Sequence, residues 1–279
     1  MIAYPNVKLN FGLHVLRRRE DGYHDLETLF VPYDGLHDTL EIIHGDDYSR
    51  TSARLQETYA PEEMAQAISP EGKLMVTLAR RGGVDWDPLC DLTARAYGLL
   101  AERHKLPPMK IYLEKTSPVG AGLGGGSADA AFALRMMAEL AGLSLSDGEL
   151  ADLAARLGSD CAFFIYNRPM LGSGRGDILE PFDIDLSGYR IEVTVPEDIA
   201  VSTADAYRGI VPQERERPLR DILALPVEQW KGRLVNDFET TIFAKYPRLA
   251  EIKQSLYDRG AVYAAMSGSG SALFAFYRE

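Results

Sequence analysis

Five glycines fall within the seven residues Gly120–Gly126. The run Pro118-Val119-Gly120-Ala121-Gly122-Leu123-Gly124-Gly125-Gly126-Ser127-Ala128-Asp129-Ala130-Ala131 passes without a break from glycine to strong helix formers. Glycine has no Cβ, so the chain can turn at φ > 0 and lie close against a ligand. A helix that opens on such a turn begins with unpaired N–H groups and the positive end of its dipole. Together these make a cradle for phosphate. One or two glycines would serve tight helix–strand packing; five at a helix start point to phosphate.

The flanking residues restrict the kind of cradle. Gly120-x-Gly122-x-x-Gly125 satisfies the dinucleotide fingerprint, but that fold wants an acidic residue about 20 positions on, at the end of the next strand. Glu139 is the nearest candidate, and it falls inside the helix that follows the loop. No Lys-Ser/Thr pair closes the loop, so it is not a Walker A motif.

A chain of 279 residues holds one large domain or two ordinary ones. Its net charge of −11 disfavours nucleic acid and anionic membranes as partners, while leaving room for a local nucleotide pocket. Cys90 and Cys161 lie far apart, fit neither a disulfide framework nor a metal-ligand spacing, and suit a reducing cytoplasm. The N-terminus carries no signal-peptide pattern, and no apolar run is long enough to span a bilayer.

Val7, Leu9, Phe11, Leu13 and Val15 alternate as in a half-buried strand, which puts Lys8, Asn10, Gly12 and His14 on the opposite face. Asp21-Gly22 marks a turn. A second strand is expected over 37–44. Residues 45–87 read as polar and irregular apart from a strand at 73–78. A helix is expected over 88–103 and a strand over 110–114, feeding the glycine loop. The helix after the loop carries Ala130, Ala133, Met137 and Leu140 at helical spacing. Ser146-Asp147-Gly148-Glu149 is a capping box that opens another helix. Beyond a boundary near 183–188 come a strand (190–195), helices at 218–223 and from Pro247, and two closing strands (261–266, 271–277) around Ser267-Gly268-Ser269-Gly270. Strands and helices without strict βαβ alternation predict an α+β fold.

Several residues carry potential chemistry. Asp160 stands between a helix terminus and the apolar run Ala162-Phe163-Phe164-Ile165; it is either a turn or capping aspartate or a proton acceptor. Lys8 is either a solvated strand lysine or a counter-charge aimed into a cleft with Asn10. Lys115, just before the loop, is either an ordinary strand-end lysine or a nucleotide contact. Gly268–Gly270 is either a plain hairpin turn or a place where backbone approaches substrate.

The glycine run closely resembles the phosphate loop of the GHMP small-molecule kinases. Val7-Lys8-Leu9-Asn10 resembles that family's first motif, and Met266-Ser267-Gly268-Ser269-Gly270-Ser271-Ala272 its C-terminal glycine motif. Lys8-x-Asn10 with Asp21-Gly22-Tyr23-His24 and Leu157-Gly158-Ser159-Asp160 narrows the likeness to the branch whose acceptor carries a cytidine diphosphate moiety. The resemblance runs from Val7 to Phe276. It implies a two-domain α+β fold (1–185 and 186–279) with the site in the interdomain cleft, and a monomer or homodimer using ATP and Mg2+. Pro118 to Ser127 would hold the β- and γ-phosphates, with the Ser127 hydroxyl on phosphate or on magnesium, and Lys115 reaching ATP. Asp160 would take the proton of the attacking hydroxyl, Lys8 would stabilise the developing charge, and Asn10 would orient the acceptor. Tyr23 and Tyr207 would sandwich the cytosine while His24 reads its edge; Gly268, Ser269 and Gly270 would approach the diphosphate. Asp91 stands where the family often has an asparagine on the adenosine side. The alternatives are another small-alcohol kinase of the family, for which Tyr23-His24 would have no purpose, or a dinucleotide-dependent oxidoreductase.

Overall fold

The computed structural model describes residues 1–279. Twelve strands run in chain order as β1 (Ile2–Ala3), β2 (Asn6–Arg18), β3 (His24–His37), β4 (Thr39–His44), β5 (Met64–Ile68), β6 (Leu74–Arg80), β7 (Met109–Lys115), β8 (Met170–Ser173), β9 (Ile178–Pro181), β10 (Tyr189–Thr194), β11 (Tyr263–Met266) and β12 (Leu273–Arg278). The α-helices are α1 (Thr51–Thr58), α2 (Leu92–Ala101), α3 (Gly125–Leu140), α4 (Asp147–Ala155), α5 (Cys161–Tyr166), α6 (Thr203–Tyr207), α7 (Leu219–Leu223), α8 (Phe238–Lys245) and α9 (Pro247–Asp258). No helix is long and apolar enough to cross a membrane.

Packing divides the chain into two interleaved compact units. One comprises Met1–Val7, Tyr33–Ser117 and Gly125–Tyr166; the other comprises Lys8–Pro32, Pro118–Gly124 and Asn167–Glu279. The chain passes from one unit to the other after Val7, Pro32, Ser117, Gly124 and Tyr166.

The first unit holds the sheet β1-β4-β7-β6-β5, in which only β6 and β7 run parallel. Leu40, Ile42, Val76, Leu78, Ile111 and Leu113 are fully buried in it. Helix α3 packs against α2 and α5. It buries Ala128, Ala130, Ala131, Ala133, Leu134 and Met137, and the alanines let neighbouring backbones approach closely. Ser146 caps α4 through the expected reciprocal bonds with Glu149. Residues 45–87 contain more structure than expected. The carboxylate of Glu41 on β4 accepts bonds from Ser49 Oγ at 2.6 Å, Arg50 N at 3.0 Å and Thr51 N at 2.9 Å, so a side chain from another element caps α1. Burial pushes the Glu41 carboxyl up, and these bonds outweigh it and draw the pKa below the ordinary value.

The second unit holds the sheets β2-β3-β8-β9 and β10-β12-β11. Strand β2 is buried on both faces: Val7, Leu9, Phe11 and Val15 have no exposure, and Lys8, Asn10 and His14 have 3%, 2% and 1%. The expected half-buried strand is thus a fully buried one: Lys8 and Asn10 find internal partners on its second face, and His14 is buried there with neither ring nitrogen hydrogen-bonded. Its apolar face meets an aromatic cluster. Phe11 stacks on Phe274 with centroids 5.2 Å apart and meets Phe276 edge-on at 5.2 Å, with Trp230 and Tyr263 completing the group. Phe11→Ala should lower unfolding free energy by about 3–5 kcal/mol; urea denaturation showing a loss under about 1 kcal/mol would contradict this packing.

Candidate active site

The glycine loop is shaped by two constraints. Gly120, Gly122 and Gly124 have φ of 72°, 77° and 73°, in the left-handed region that favours glycine. At Gly122 space matters as well: a Cβ there would lie 2.3 Å from the Ser267 carbonyl oxygen. The loop is thereby pressed onto two other segments of its unit. Lys8 N donates to Leu123 O at 2.9 Å, and Ala272 N donates to Ala121 O at 3.1 Å. Ser267 Oγ accepts from Asn10 N and donates to Gly122 O, both at 3.2 Å.

Lys8 and Asn10 meet at this junction. The Lys8 ammonium donates to Gly122 O at 2.9 Å and to Asn10 Oδ1. Asn10 Nδ2 donates to Thr28 Oγ1 at 3.0 Å, and Thr28 Oγ1 donates to Gly12 O at 2.5 Å. Both ends of the Asn10 amide are thus engaged, one with Lys8 and one with Thr28. Gly268 lies against the same pair: a Cβ on it would be 3.3 Å from Lys8 Nζ and 3.2 Å from Asn10 Oδ1. Gly268 and Gly270 have φ of 53° and 84°. Ser269 Oγ lies 3.5 Å from Thr203 Oγ1.

In the other unit, α3 begins at Gly125 and presents Ser127 in its first turn. The Ser127 hydroxyl lies near the Cys161 thiol at the start of α5, both facing Gly158. Gly158 fits closely there, since a Cβ on it would be 3.3 Å from Cys161 Sγ and 3.9 Å from Ser127 Oγ. Asp160 directly precedes α5 and is half-buried. The carboxylate singled out in the sequence and the helix start that follows the glycines are therefore neighbours.

Lys115, expected beside the nucleotide, is enclosed within its own unit. Its side chain is 4% exposed and lies between two carboxylates, bonding Asp129 Oδ2 at 2.5 Å and Asp38 Oδ2. Asp38 also accepts from Thr116 N, Ser117 N and Ser117 Oγ, each at 2.7 Å. Asp129 Oδ1 has no partner, and burial pushes the Asp129 carboxyl above its ordinary range. The trio also explains Gly125, because a Cβ there would lie 2.5 Å from Ser117 Oγ. Lys115 is a structural cation fixing the end of β7 just before the loop. Asp91 likewise acts locally. It caps α2 by accepting from Thr93 N at 2.9 Å, and holds Trp86 Nε1 at 3.0 Å.

The aromatic residues are paired differently from the expected sandwich. His24 and Tyr207 stack on each other, centroids 4.9 Å apart and planes 20° apart, and Tyr207 also meets Phe238 edge-on. Tyr23 is 58% exposed, with the Arg175 guanidinium 5.1 Å from its ring. Burial and the nearby Arg18 lower the His24 pKa, so at neutral pH its ring offers one donor and one acceptor. Sequence reading missed Thr28, Ser267, Asp38, Asp129 and Asn236, which hold the named residues in place. None belongs to a motif that signals its partner.

Removing the Lys115 charge leaves two buried carboxylates without their cation, a loss of about 3–5 kcal/mol. A carboxyl whose folded pKa is raised contributes stability below its unfolded value near 4, and that contribution disappears as pH rises through the folded pKa. Lys115→Met should therefore be less destabilised, relative to wild type, at pH 4.5 than at pH 8. Equal losses at both pH values in urea melts would contradict the buried trio.

Comparison with known proteins agrees with this architecture. Residues 91–168 match the GHMP kinases N terminal domain and residues 224–279 the GHMP kinases C terminal domain. A 4-diphosphocytidyl-2-C-methyl-D-erythritol kinase from Azobacteroides pseudotrichonymphae is 44% identical over 280 residues, covering 100% of this chain and 94% of the relative. One from Bacteroides fragilis is 43% identical, covering 99% and 92%. The crystal structure of a 4-(cytidine 5'-diphospho)-2C-methyl-D-erythritol kinase superposes with a TM-score of 0.73 at 30% identity, covering 99% of this chain and 89% of that one. A mevalonate kinase structure shares the fold at a TM-score of 0.66 and 13% identity, covering 100% and 91%. The chain belongs to the GHMP kinase family.

Proposed function

We propose that the protein transfers the γ-phosphoryl group of ATP to the 2-hydroxyl of 4-diphosphocytidyl-2-C-methyl-D-erythritol, a step in non-mevalonate isoprenoid precursor synthesis. The observation that carries this reading is the 44% identity, spanning the whole chain, with a relative named for that kinase activity. The neighbouring starts of α3 and α5 support it, since a phosphate-binding helix terminus and a carboxylate occur together there.

In this reading the amides of the loop and of the first turn of α3 hold the β- and γ-phosphates. Ser127 is the residue that would stand beside a magnesium ion accompanying ATP, and that ion would supply neutralisation of charge on the triphosphate. The acceptor oxygen forms a bond to the γ-phosphorus as the bond from that phosphorus to the ADP oxygen breaks. The hydroxyl proton passes to Asp160. Lys8, held by Asn10 and Gly122 O, stabilises negative charge as it develops on the acceptor. The donor and acceptor of neutral His24 suit the Watson–Crick edge of cytosine, and a base joining the stack at Tyr207 would separate His24 from that ring. Gly268, Ser269 and Gly270 bring backbone toward the acceptor side, next to Lys8.

The direct test is ADP release with the diphosphocytidyl substrate, using homoserine and mevalonate as controls. Turnover should be confined to the first; equal rates with a control would move the chain to another branch of the family. Asp160→Asn should lower kcat by about 100-fold or more while ATP affinity stays within twofold, and a wild-type kcat would exclude the proton-acceptor role. His24→Ala should raise KM for the cytidine-bearing substrate by about tenfold with little change in KM for ATP. Parallel rises in both constants would remove His24 from the cytosine contact.

A further inference from the structure

Residues 267–272 form the tip between β11 and β12. The ladder ends with Met266 opposite Leu273, extended only by Ser267 N donating to Ala272 O at 2.9 Å. Beyond it the chain passes through two glycines at positive φ, so the ladder does not fix the carbonyls of Met266 and Gly268. Asn236 does. Its side-chain Nδ2 donates to Met266 O and to Gly268 O, both at 2.8 Å, and its Oδ1 accepts from Phe238 N at 3.0 Å. Three of the four hydrogen-bonding positions of the amide are thus used, in a residue only 2% exposed.

The backbone around Asn236 is equally constrained. It forms a parallel bridge with Leu13 of β2; Leu13 N donates to Val235 O at 2.9 Å and Asp237 N donates to Leu13 O at 2.8 Å. Asn236 therefore links the strand that carries Lys8 and Asn10 to the turn that lies against them. Gly268 has little latitude, because its Cβ position is 2.9 Å from Gly122 O and 3.3 Å from Lys8 Nζ. A turn free to shift would change the packing that confines the Lys8 ammonium.

We propose that Asn236 is a positioning residue for phosphoryl transfer: its amide clamps the 266–268 turn against Lys8 and Asn10 and so sets where the Lys8 ammonium stands. The inference rests on the reading of Lys8 as the acceptor-side cation. Replacing the amide by a carboxylate or a methyl group removes both donated bonds, and the Asn236→Asp variant keeps the shape and the acceptor toward Phe238 N.

The test is a double-mutant cycle on full-length protein shown to be folded by circular dichroism at the assay temperature. Asn236→Asp and Asn236→Ala should each lower kcat per folded enzyme at least tenfold, with KM for ATP within twofold. In a Lys8→Ala background either change should lower kcat less than twofold further, because the group being positioned is gone. If one Asn236 variant does not fold, the other serves. A wild-type kcat in folded Asn236→Asp, or losses that multiply in the double variant, would overturn the inference. If Lys8→Ala itself keeps wild-type kcat, the reading of Lys8 fails instead, and the two failures are thereby told apart.

Discussion

The contact between the Lys8 ammonium and the Gly122 carbonyl governs the arrangement of everything around it. An ammonium that is 3% exposed is costly unless its hydrogens find acceptors, and here a backbone carbonyl and the Asn10 amide provide two. Bringing that carbonyl to β2 requires the glycine loop to lie flat on the strand. Lying flat in turn brings Gly122 so close to Ser267 O that no side chain fits. A glycine run read first as a phosphate cradle is thus also the joint at which three distant segments meet. Both uses need the same property, a backbone unencumbered by Cβ.

The two lysines near the glycine run show how surroundings divide roles. Lys115 is enclosed by Asp38 and Asp129 and fixes the end of β7. Lys8 donates to Asn10 Oδ1 and to Gly122 O, which orient its ammonium toward the glycine loop of its own unit. Asp129 belongs to the Lys115 assembly, and Gly125 packs against it, although both lie in the segment that begins as the phosphate loop.

Features encoded locally were legible in the sequence. The alternation of β2, the capping box of α4, the glycine-to-helix transition and the closing hairpin all depend on residues within a few positions of one another. The candidate residues Lys8, Asn10 and Gly268 were also legible as motifs, and the fold brings them together in one unit. What escaped depends on distant partners. Helix α1 buries only Thr51 and Leu55 and relies on Glu41 from β4 for its cap. Lys115 looked available because Asp38 is 77 residues away. The stacking of His24 on Tyr207 follows from the placement of α6, which no local pattern conveys. Asn236 carries no signal beyond being an asparagine before a helix.

The proposed phosphoryl transfer rests on main-chain amides from Gly120 to Ser127 gripping a nucleoside triphosphate. Amide resonances of isotopically labelled protein, followed during titration with a non-hydrolysable ATP analogue and separately with NADH, test that grip most directly. Saturable shifts concentrated at residues 120–127 are predicted with the triphosphate, and none there with NADH. Amides in that run that stay unmoved by the triphosphate, or that respond to NADH instead, would contradict it.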